Sequence, residues 1–164
     1  MKEAEAPRLA SSRLQDLFET FGDDSDVSLM LVAVGLFRGH KLVRARTEEV
    51  LRPLDLTLPR YEVLGILDDA EDGEMSLRDL KRASLLHPAT MTYTIDGLQS
   101  RGLITRSSPD DDGDRRLVTA RITPAGHKLA GEALEALRAV RFGLGGSLAP
   151  SEADDLASLL SRIH

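Results

Sequence analysis

Two closely spaced helix starts, followed by two short β-rich runs, constrain the fold of this chain more than any other feature. The first start is Ser76, and Asp79 follows three residues later in a pattern that resembles a capping box. It predicts a helix of about two turns over "SLRDLKRAS", with Leu77 and Leu80 facing inward. The second start is Pro88, whose missing N–H costs little in the first turn of a helix.

The second helix is expected over "PATMTYTIDGLQSRG", with a core stripe of Met91, Ile95 and Leu98 and a stop at Gly102. Residues 103–106 and 116–122 then form β-rich runs on either side of a turn rich in Pro, Asp and Gly. Apolar and polar residues alternate in the second run. The pattern therefore predicts a hairpin with one covered face.

A short helix, a tight turn, a second helix and a hairpin occur in the order of a winged helix-turn-helix. In such a motif the second helix enters a major groove of DNA, and the hairpin tip reaches the neighbouring backbone or minor groove. The predicted fold class is mainly α with a small β hairpin, an α+β winged helix-turn-helix with N- and C-terminal dimerisation helices.

Helical patterns on both sides of this motif divide the chain into four expected regions. These are an accessory N-terminal helix (1–25), a dimerisation and linking helix (26–56), a winged helix-turn-helix DNA-binding lobe (57–123) and C-terminal dimerisation helices (124–164). Thr57, Thr123 and Ser151 are the expected caps of three of these helices. A cluster of glycines near 145 is expected to break the penultimate helix.

Two apolar stripes exceed what one small lobe can cover. One is the first half of the helix over residues 28–51, and the other comprises residues 156, 159, 160 and 163 near the end of the chain. We expect the first of these to be buried. The surplus of apolar surface predicts a homodimer.

The charge distribution shows where a polyanion could bind. The formal net charge is −6, but residues 76–106 carry five basic and two acidic residues.

The chain has no cysteine, which excludes disulfides and thiolate metal sites. It has no apolar run long enough to span a bilayer, and its polar start differs from a signal peptide, so a cytoplasmic location and no membrane partner are expected.

The helix from Pro88 carries hydroxyl and methyl groups opposite its core stripe, namely Thr90, Thr92, Tyr93 and Thr94. Hydroxyls can bond phosphates or base edges, and threonine methyls can contact the thymine methyl. The DNA contacts predicted in the two helices and at the first strand are Arg78, Lys81, Pro88, Ala89, Thr90, Thr92, Tyr93 and Arg106. The alternative is that the face opposite the core stripe is a polar face open to solvent.

The hairpin tip adds three predicted DNA contacts, Asp114, Arg115 and Arg116. Arginines at the end of a turn suit a narrow, electronegative minor groove, and a neighbouring aspartate can orient a guanidinium. The other aspartates of "DDDGD" would shape and solvate the turn. The alternative is an exposed charged turn with no partner.

These segments resemble the MarR (multiple antibiotic resistance regulator) family of winged-helix repressors. "LTLPRYEVLGIL", "SLRDLKRASLLHPATMTYTIDGLQSRGLITR" and "DRRLVTARITPAGHKL" carry the resemblance, which extends from about residue 28 to the end of the chain. The last segment is similar to the family's wing signature through Asp114, Arg116, Ile122, Thr123 and Gly126.

The resemblance implies an obligate homodimer that binds double-stranded DNA at a pseudo-palindromic operator, with recognition helices about one duplex turn apart. It implies a repressor released by a small anionic or aromatic ligand. His87 departs from the family pattern, because a serine or a similar cap usually stands there. Base preference at that end of the helix therefore does not transfer from the family.

Four residues are the candidate ligand site: His40 and Arg44 on the long helix, with Arg60 and Tyr61 at the start of the next. Imidazole, guanidinium and phenol together would suit a carboxylate or a phenolic effector. For His40 the alternative is a satisfied core histidine, and Arg60 could equally contact phosphate or solvent. The N-terminal helix resembles that of the urate-responsive branch, but the chain lacks the branch's tryptophan, which disfavours urate.

Other function classes fit less well. The chain has four scattered histidines, no cysteine and no Gly-rich phosphate loop, so neither an enzyme nor a cofactor is expected. "DDAEDGEMSLRD" partly mimics an EF-hand loop, but Ala70 and Asp79 occupy two ligand positions where the motif needs other residues, so no metal site is expected. The remaining alternative is a dimeric protein-interaction module that no longer binds DNA.

Overall fold

The computed structural model describes residues 24–84, 86–107 and 118–163. The chain divides into two compact units, residues 1–41 and 42–164. The described part of the first unit is helical, and the second unit contains the remaining elements.

Helices dominate the described residues. The α-helices are α1 (Asp24–Leu51), α2 (Leu58–Asp68), α3 (Leu77–Ala83), α4 (Pro88–Ser100), α5 (Pro124–Ala139) and α6 (Pro150–Leu160). The side chains of Thr57, Ser76 and Thr123 each accept a hydrogen bond from a backbone N–H three residues later. These three predicted caps are therefore confirmed, and each satisfies a donor that the first helical turn leaves free.

A small antiparallel sheet accompanies the helices. Its strands are β1 (Glu74–Ser76), β2 (Ile104–Ser107) and β3 (Thr119–Ile122), in the order β1-β3-β2. Ala120 of β3 lies between Arg106 on one side and Met75 on the other. The pairing of β2 with β3 confirms the predicted hairpin, which we call the wing. Strand β1 was not predicted.

The core of the second unit lies between α2 and its neighbours α3, α4 and α5. Leu64 and Leu67 of α2, Leu80 of α3 and Leu98 of α4 are fully buried. Burying one such side chain contributes about 1.5–3 kcal/mol, so these contacts hold the two helices of the helix-turn-helix on the α2 platform. The predicted mainly helical winged helix-turn-helix fold is confirmed.

Helix α5 ends before the glycines near 145 that were expected to break it. The helix ends at Ala139, and Arg141, Phe142 and Gly143 follow with positive φ angles of 49°, 52° and 77°. A left-handed conformation costs roughly 1–2 kcal/mol in each residue other than glycine. A hydrogen bond of 2.7 Å from a guanidinium N–H of Arg46 to the Gly143 carbonyl holds this turn.

The start of the last helix also differs from the expectation. Helix α6 begins at Pro150, so the prediction that Ser151 caps it was wrong. Ala149 occupies the cap position, and its N–H donates to the Glu152 carboxylate at 2.7 Å. Glu152 thus replaces the missing cap side chain and places a negative charge near the positive end of the helix dipole.

The expected apolar stripes are exposed in the single chain. On α1, Leu29, Val32, Leu36 and Phe37 are exposed by 38–77%. The expectation that this half of α1 is buried is wrong for the single chain, because the first unit has no second described element to cover it. At the other end of the chain, Leu156, Leu159, Leu160 and Ile163 are exposed by 39–60%.

Candidate nucleic-acid interface

Helix α4 presents one buried and one exposed face. Met91, Thr94, Ile95 and Leu98 are buried, whereas five of the residues predicted to contact DNA are exposed: Pro88, Ala89, Thr90, Thr92 and Tyr93. The expectation that Thr94 lies on the outer face was wrong, and its exposure is only 2%. Positions three and four residues apart share a helix face, so Thr94 joins the stripe of Met91, Ile95 and Leu98.

Hydrogen bonds at the start of α4 involve two side chains of this region. The hydroxyl of Thr92 donates to the Pro88 carbonyl at 3.3 Å, which gives it a local acceptor. The imidazole Nδ1 of His87 accepts the N–H of Ala89 at 3.3 Å. His87 is therefore the cap of this helix, at the position where the sequence resemblance implied a serine or a similar cap, although histidine is not among the favoured cap residues.

Helix α3 supplies exposed cations beside α4. Arg78 and Lys81 are exposed, and neither forms an ion pair with another described residue. Arg82 lies 3.9 Å from Asp79 across one helical turn, where both side chains are well solvated. Among the described residues, Arg78 and Lys81 are therefore the cations of α3 without an acidic partner, and their contact with DNA remains a prediction.

Two other arginines of the basic segment bind acidic partners inside the protein. Arg106 of β2 pairs with Asp96 of α4, and its Nε is buried with no partner among the described residues. Arg101, at the end of α4, donates to the Asp55 carbonyl at 2.7 Å. Neither pair was predicted from the sequence. They reduce the charge available to DNA, and the predicted contact of Arg106 with DNA remains a prediction.

The base of the wing is described, but its tip is not. Asp114, Arg115 and Arg116 lie in residues 108–117, outside the described residues. At the base, the hydroxyls of Ser107 and Thr119 lie 2.6 Å apart and link β2 to β3.

Strand β1 is tied to the wing by side chains as well as by its backbone. Arg121 of β3 pairs with the Glu74 carboxylate and donates to the Asp72 carbonyl at 3.0 Å. A hydrogen bond from Thr119 and the charge of Arg121 hold the pKa of Glu74 below its ordinary value. The acidic segment before α3 therefore forms part of the support of the wing.

The four candidate ligand residues are placed as follows. His40 is exposed on the first unit. In the second unit, Arg44 pairs with Glu48 at 2.9 Å, and Arg60 lies against Gly97 of α4. Tyr61 is half-buried, and burial is the main cause that raises the pKa of its phenol.

Two cavities in the second unit lie away from these candidates. One, of about 330 Å³, is lined by Arg46, Glu49, Val50, Val140, Gly143 and Gly145. The other, of about 370 Å³, is lined by Glu48, Arg52, Asp55, Leu56 and Thr57. Neither cavity is lined by a predicted ligand residue, and the ligand site remains a prediction.

The partial EF-hand pattern forms a different structure. Asp68 pairs with His127 of α5, and Asp79 accepts the hydroxyl proton of its capping partner Ser76 at 2.6 Å. Within the described residues, no group of three or more histidines or carboxylates is arranged to hold a metal ion.

None of the helices in the described part of the chain is long and apolar enough to cross a membrane.

Two helices joined by a tight turn, an exposed polar face on the second helix and a following hairpin define a winged helix-turn-helix protein. Residues 56–118 match the model of the MarR family. Sco5413, a MarR family transcriptional regulator from Streptomyces coelicolor, has a similar structure, with a TM-score of 0.73 and 27% identity over 84% of this chain and 93% of Sco5413. Residues 56–118 therefore carry a MarR family domain, and the predicted resemblance to that family is confirmed.

Two further proteins are similar to this chain. IacR, an HTH-type transcriptional repressor from Pseudomonas putida, is 31% identical over 91 residues, which are 56% of this chain and 52% of IacR. BpsR from Bordetella bronchiseptica has a similar structure, with a TM-score of 0.71 and 29% identity over 80% of this chain and 97% of BpsR. The matched segment thus spans about half the length of IacR. MarR family proteins are transcriptional regulators and not enzymes, in agreement with the prediction for this chain.

Proposed function

We propose that this chain is a sequence-specific DNA-binding transcription regulator that works as a homodimer. The observation that carries the proposal is the exposed face of α4 with Thr90 and Tyr93, accompanied by Arg78 and Lys81 of α3, which are exposed and have no ion-pair partner among the described residues. Such a surface offers hydroxyl and methyl groups to base edges and positive charge to phosphates. A helix that is apolar on one side and fully exposed on the other fits insertion into a major groove.

The wing tip would contribute the second DNA contact. In this proposal Arg115 and Arg116 reach the neighbouring backbone or minor groove, and Asp114 orients a guanidinium by pairing with it. The paired strands at the base of the wing support the proposal, because they fix the points from which this loop leaves and returns.

A second copy of the chain would cover the exposed apolar stripes. Leu29, Val32 and Phe37 on α1 are each more than half exposed, and so is Leu159 on α6. Exposed apolar patches on this scale mark interaction surfaces, and a two-fold dimer would place two α4 helices on half-sites of a pseudo-palindromic operator. Sedimentation at micromolar concentration is expected to give the mass of a dimer.

We further propose that the regulator is a repressor and that a small anionic or aromatic ligand releases it from DNA. IacR is named a repressor, and the DNA binding of BpsR is regulated by 6-hydroxynicotinic acid. A ligand would act here only through different affinities for the DNA-bound and free states. The half-buried phenol of Tyr61 next to Arg60 supports these two residues as candidates for a carboxylate or phenolic effector, and His40 and Arg44 stay candidates on the sequence alone.

The test is selection of bound fragments from random genomic DNA, followed by fluorescence anisotropy on the best fragment at several salt concentrations. Lys81→Ala is expected to weaken binding on all sequences and to reduce the salt slope by about 1, the effect of losing one phosphate contact. Lys128→Ala is the matched control, because Lys128 is an exposed lysine on α5 that pairs with Glu132 at 3.8 Å.

Thr90 separates sequence preference from general affinity. Thr90→Val removes the hydroxyl and keeps the methyl, whereas Thr90→Ser does the reverse. We expect at least one of them to relax base preference at one operator position with little change in the salt slope. Absence of any DNA binding at low salt would contradict the proposal and favour a dimeric protein-interaction module.

A further inference from the structure

The cap of α4 is an exposed imidazole at the start of the face that the proposed function assigns to DNA. His87 is followed by Pro88, Ala89 and Thr90, which are exposed as well. Its backbone carbonyl accepts the N–H of Met91 at 3.0 Å, the first hydrogen bond of the helix. The ring is thus held at the end of the helix by its own backbone and by its side-chain bond.

The side-chain hydrogen bond determines which ring nitrogen carries the proton. The Ala89 N–H can only donate, so the Nδ1 that receives it at 3.3 Å must be an unprotonated acceptor. A neutral imidazole then carries its proton on Nε2. Protonation of Nδ1 would break the cap and add a positive charge at the positive end of the helix dipole, so the capped state is the neutral one.

We propose that His87 caps α4 through Nδ1 and at the same time donates from Nε2–H to a hydrogen-bond acceptor on DNA. The inference rests on the proposed DNA binding and deepens it. A serine at this position would also cap the helix, but its hydroxyl would have to accept the cap hydrogen bond and donate to DNA from one atom, which lies nearer to the helix end than the Nε2 of an imidazole. The imidazole places donor and acceptor on opposite sides of a rigid ring, so capping and DNA contact occur together.

The acceptor has two chemical sources, a phosphate oxygen or the N7 of a purine. Both accept from a neutral N–H, and neither requires a charge on the ring. The neutral charge of its donor distinguishes His87 from the cations Arg78 and Lys81. A neutral donor releases no counterion, so its contribution should not depend on salt.

The test compares His87→Ser and His87→Ala with the wild-type chain on the selected operator. Ser is expected to keep the cap, seen as unchanged hydrogen-exchange protection at the Ala89 amide. It should nevertheless lose roughly 10-fold in affinity with an unchanged salt slope, as expected for one net hydrogen bond of about 1.4 kcal/mol. Ala should lose both protection and affinity. Nitrogen-15 NMR of the free protein should show the proton on Nε2.

Chemical changes in the DNA identify the acceptor. A single methylphosphonate or a single 7-deazapurine that costs wild type affinity but costs His87→Ser nothing marks the atom that Nε2–H contacts. Wild-type affinity of His87→Ser, a salt slope lowered by about 1, or a proton on Nδ1 would each overturn the inference and leave the DNA-binding function standing. If the wild-type protein binds no DNA fragment, the proposed function is wrong, and the proposed contact of His87 with DNA is wrong as well.

Discussion

Two glycines of α5 offer a matched test of the packing between this helix and the wing. A Cβ added at Gly126 would lie 2.1 Å from the Leu103 carbonyl oxygen, whereas a Cβ at Gly131 would meet nothing within 4 Å. The Leu103 carbonyl is not free to move, because it accepts the N–H and the hydroxyl of Thr123 at 3.0 and 3.1 Å. An ordinary contact at Gly126, 3.4 Å or longer, therefore requires α5 to move away from the Leu103 carbonyl by at least 1.3 Å.

The magnitudes follow from this geometry. Overpacking costs about 1–3 kcal/mol, and loss of the hydrogen bond from the Thr123 N–H to Leu103 adds about 1 kcal/mol, whereas the Thr123 hydroxyl has a second acceptor, the Gly102 carbonyl at 2.8 Å. Gly126→Ala should therefore lower the free energy of unfolding by about 2–4 kcal/mol. Gly131→Ala should raise it by about 1 kcal/mol, because alanine has the higher helix propensity and the site is open.

Urea unfolding at one fixed protein concentration measures both variants, since a dimer would make stability depend on concentration. Equal m-values would show that the same surface unfolds in each variant. A Gly126→Ala protein within about 1 kcal/mol of wild type, well below the overpacking and hydrogen-bond cost, would refute the assigned contact between α5 and the wing.

Three further predictions concern paired or buried groups. Reversing the charge of either Asp96 or Arg106 alone should lower the free energy of unfolding by up to about 1 kcal/mol, a small loss because Asp96 is largely solvated. Reversing both charges together should recover part of that loss, and no recovery in a double-mutant cycle would exclude their coupling. Glu74 has a lowered pKa, so it contributes stability above its unfolded pKa that is lost as pH falls through the folded pKa; Glu74→Gln should lose less stability in acid urea titrations. Tyr61 has a raised pKa, so its contribution is present below pH 10 and is lost as pH rises through the folded pKa. In Tyr93→Phe, which leaves Tyr61 as the sole phenol, the absorbance titration should have its midpoint above 10, and a midpoint at 10 would contradict the effect of burial.

Local signals in the sequence predicted most of the helix starts. Thr57, Ser76 and Thr123 are good cap residues followed by helical periodicity, and each caps a helix in the structure. Ser151 has the same chemistry, but Pro150 begins the helix one residue earlier, and Glu152 satisfies the free donor instead. His87 was predicted to depart from the usual cap, and the structure shows that its ring performs the capping.

Contacts between distant segments could not be predicted from local patterns. Strand β1 has only three residues and pairs with β3 more than forty residues later, so neither its length nor its composition marks it as a strand. The pairing of Arg106 with Asp96 and of Arg101 with Asp55 depends on how α4 packs. Helical spacing was enough to predict the exposed face of α4. Which of the neighbouring basic residues have acidic partners inside the protein could be seen only in the folded structure.

The position of β3 in the centre of the sheet has a mechanical consequence. Its two edges bond to β2 and to β1, and β1 leads directly into α3 through the cap residue Ser76. A displacement of the wing must therefore either stretch the hydrogen bonds between β3 and β1 or move the first turn of α3 as well. The wing and α3, which both contribute proposed DNA contacts, are therefore connected through β1, and a displacement of either one is transmitted to the other.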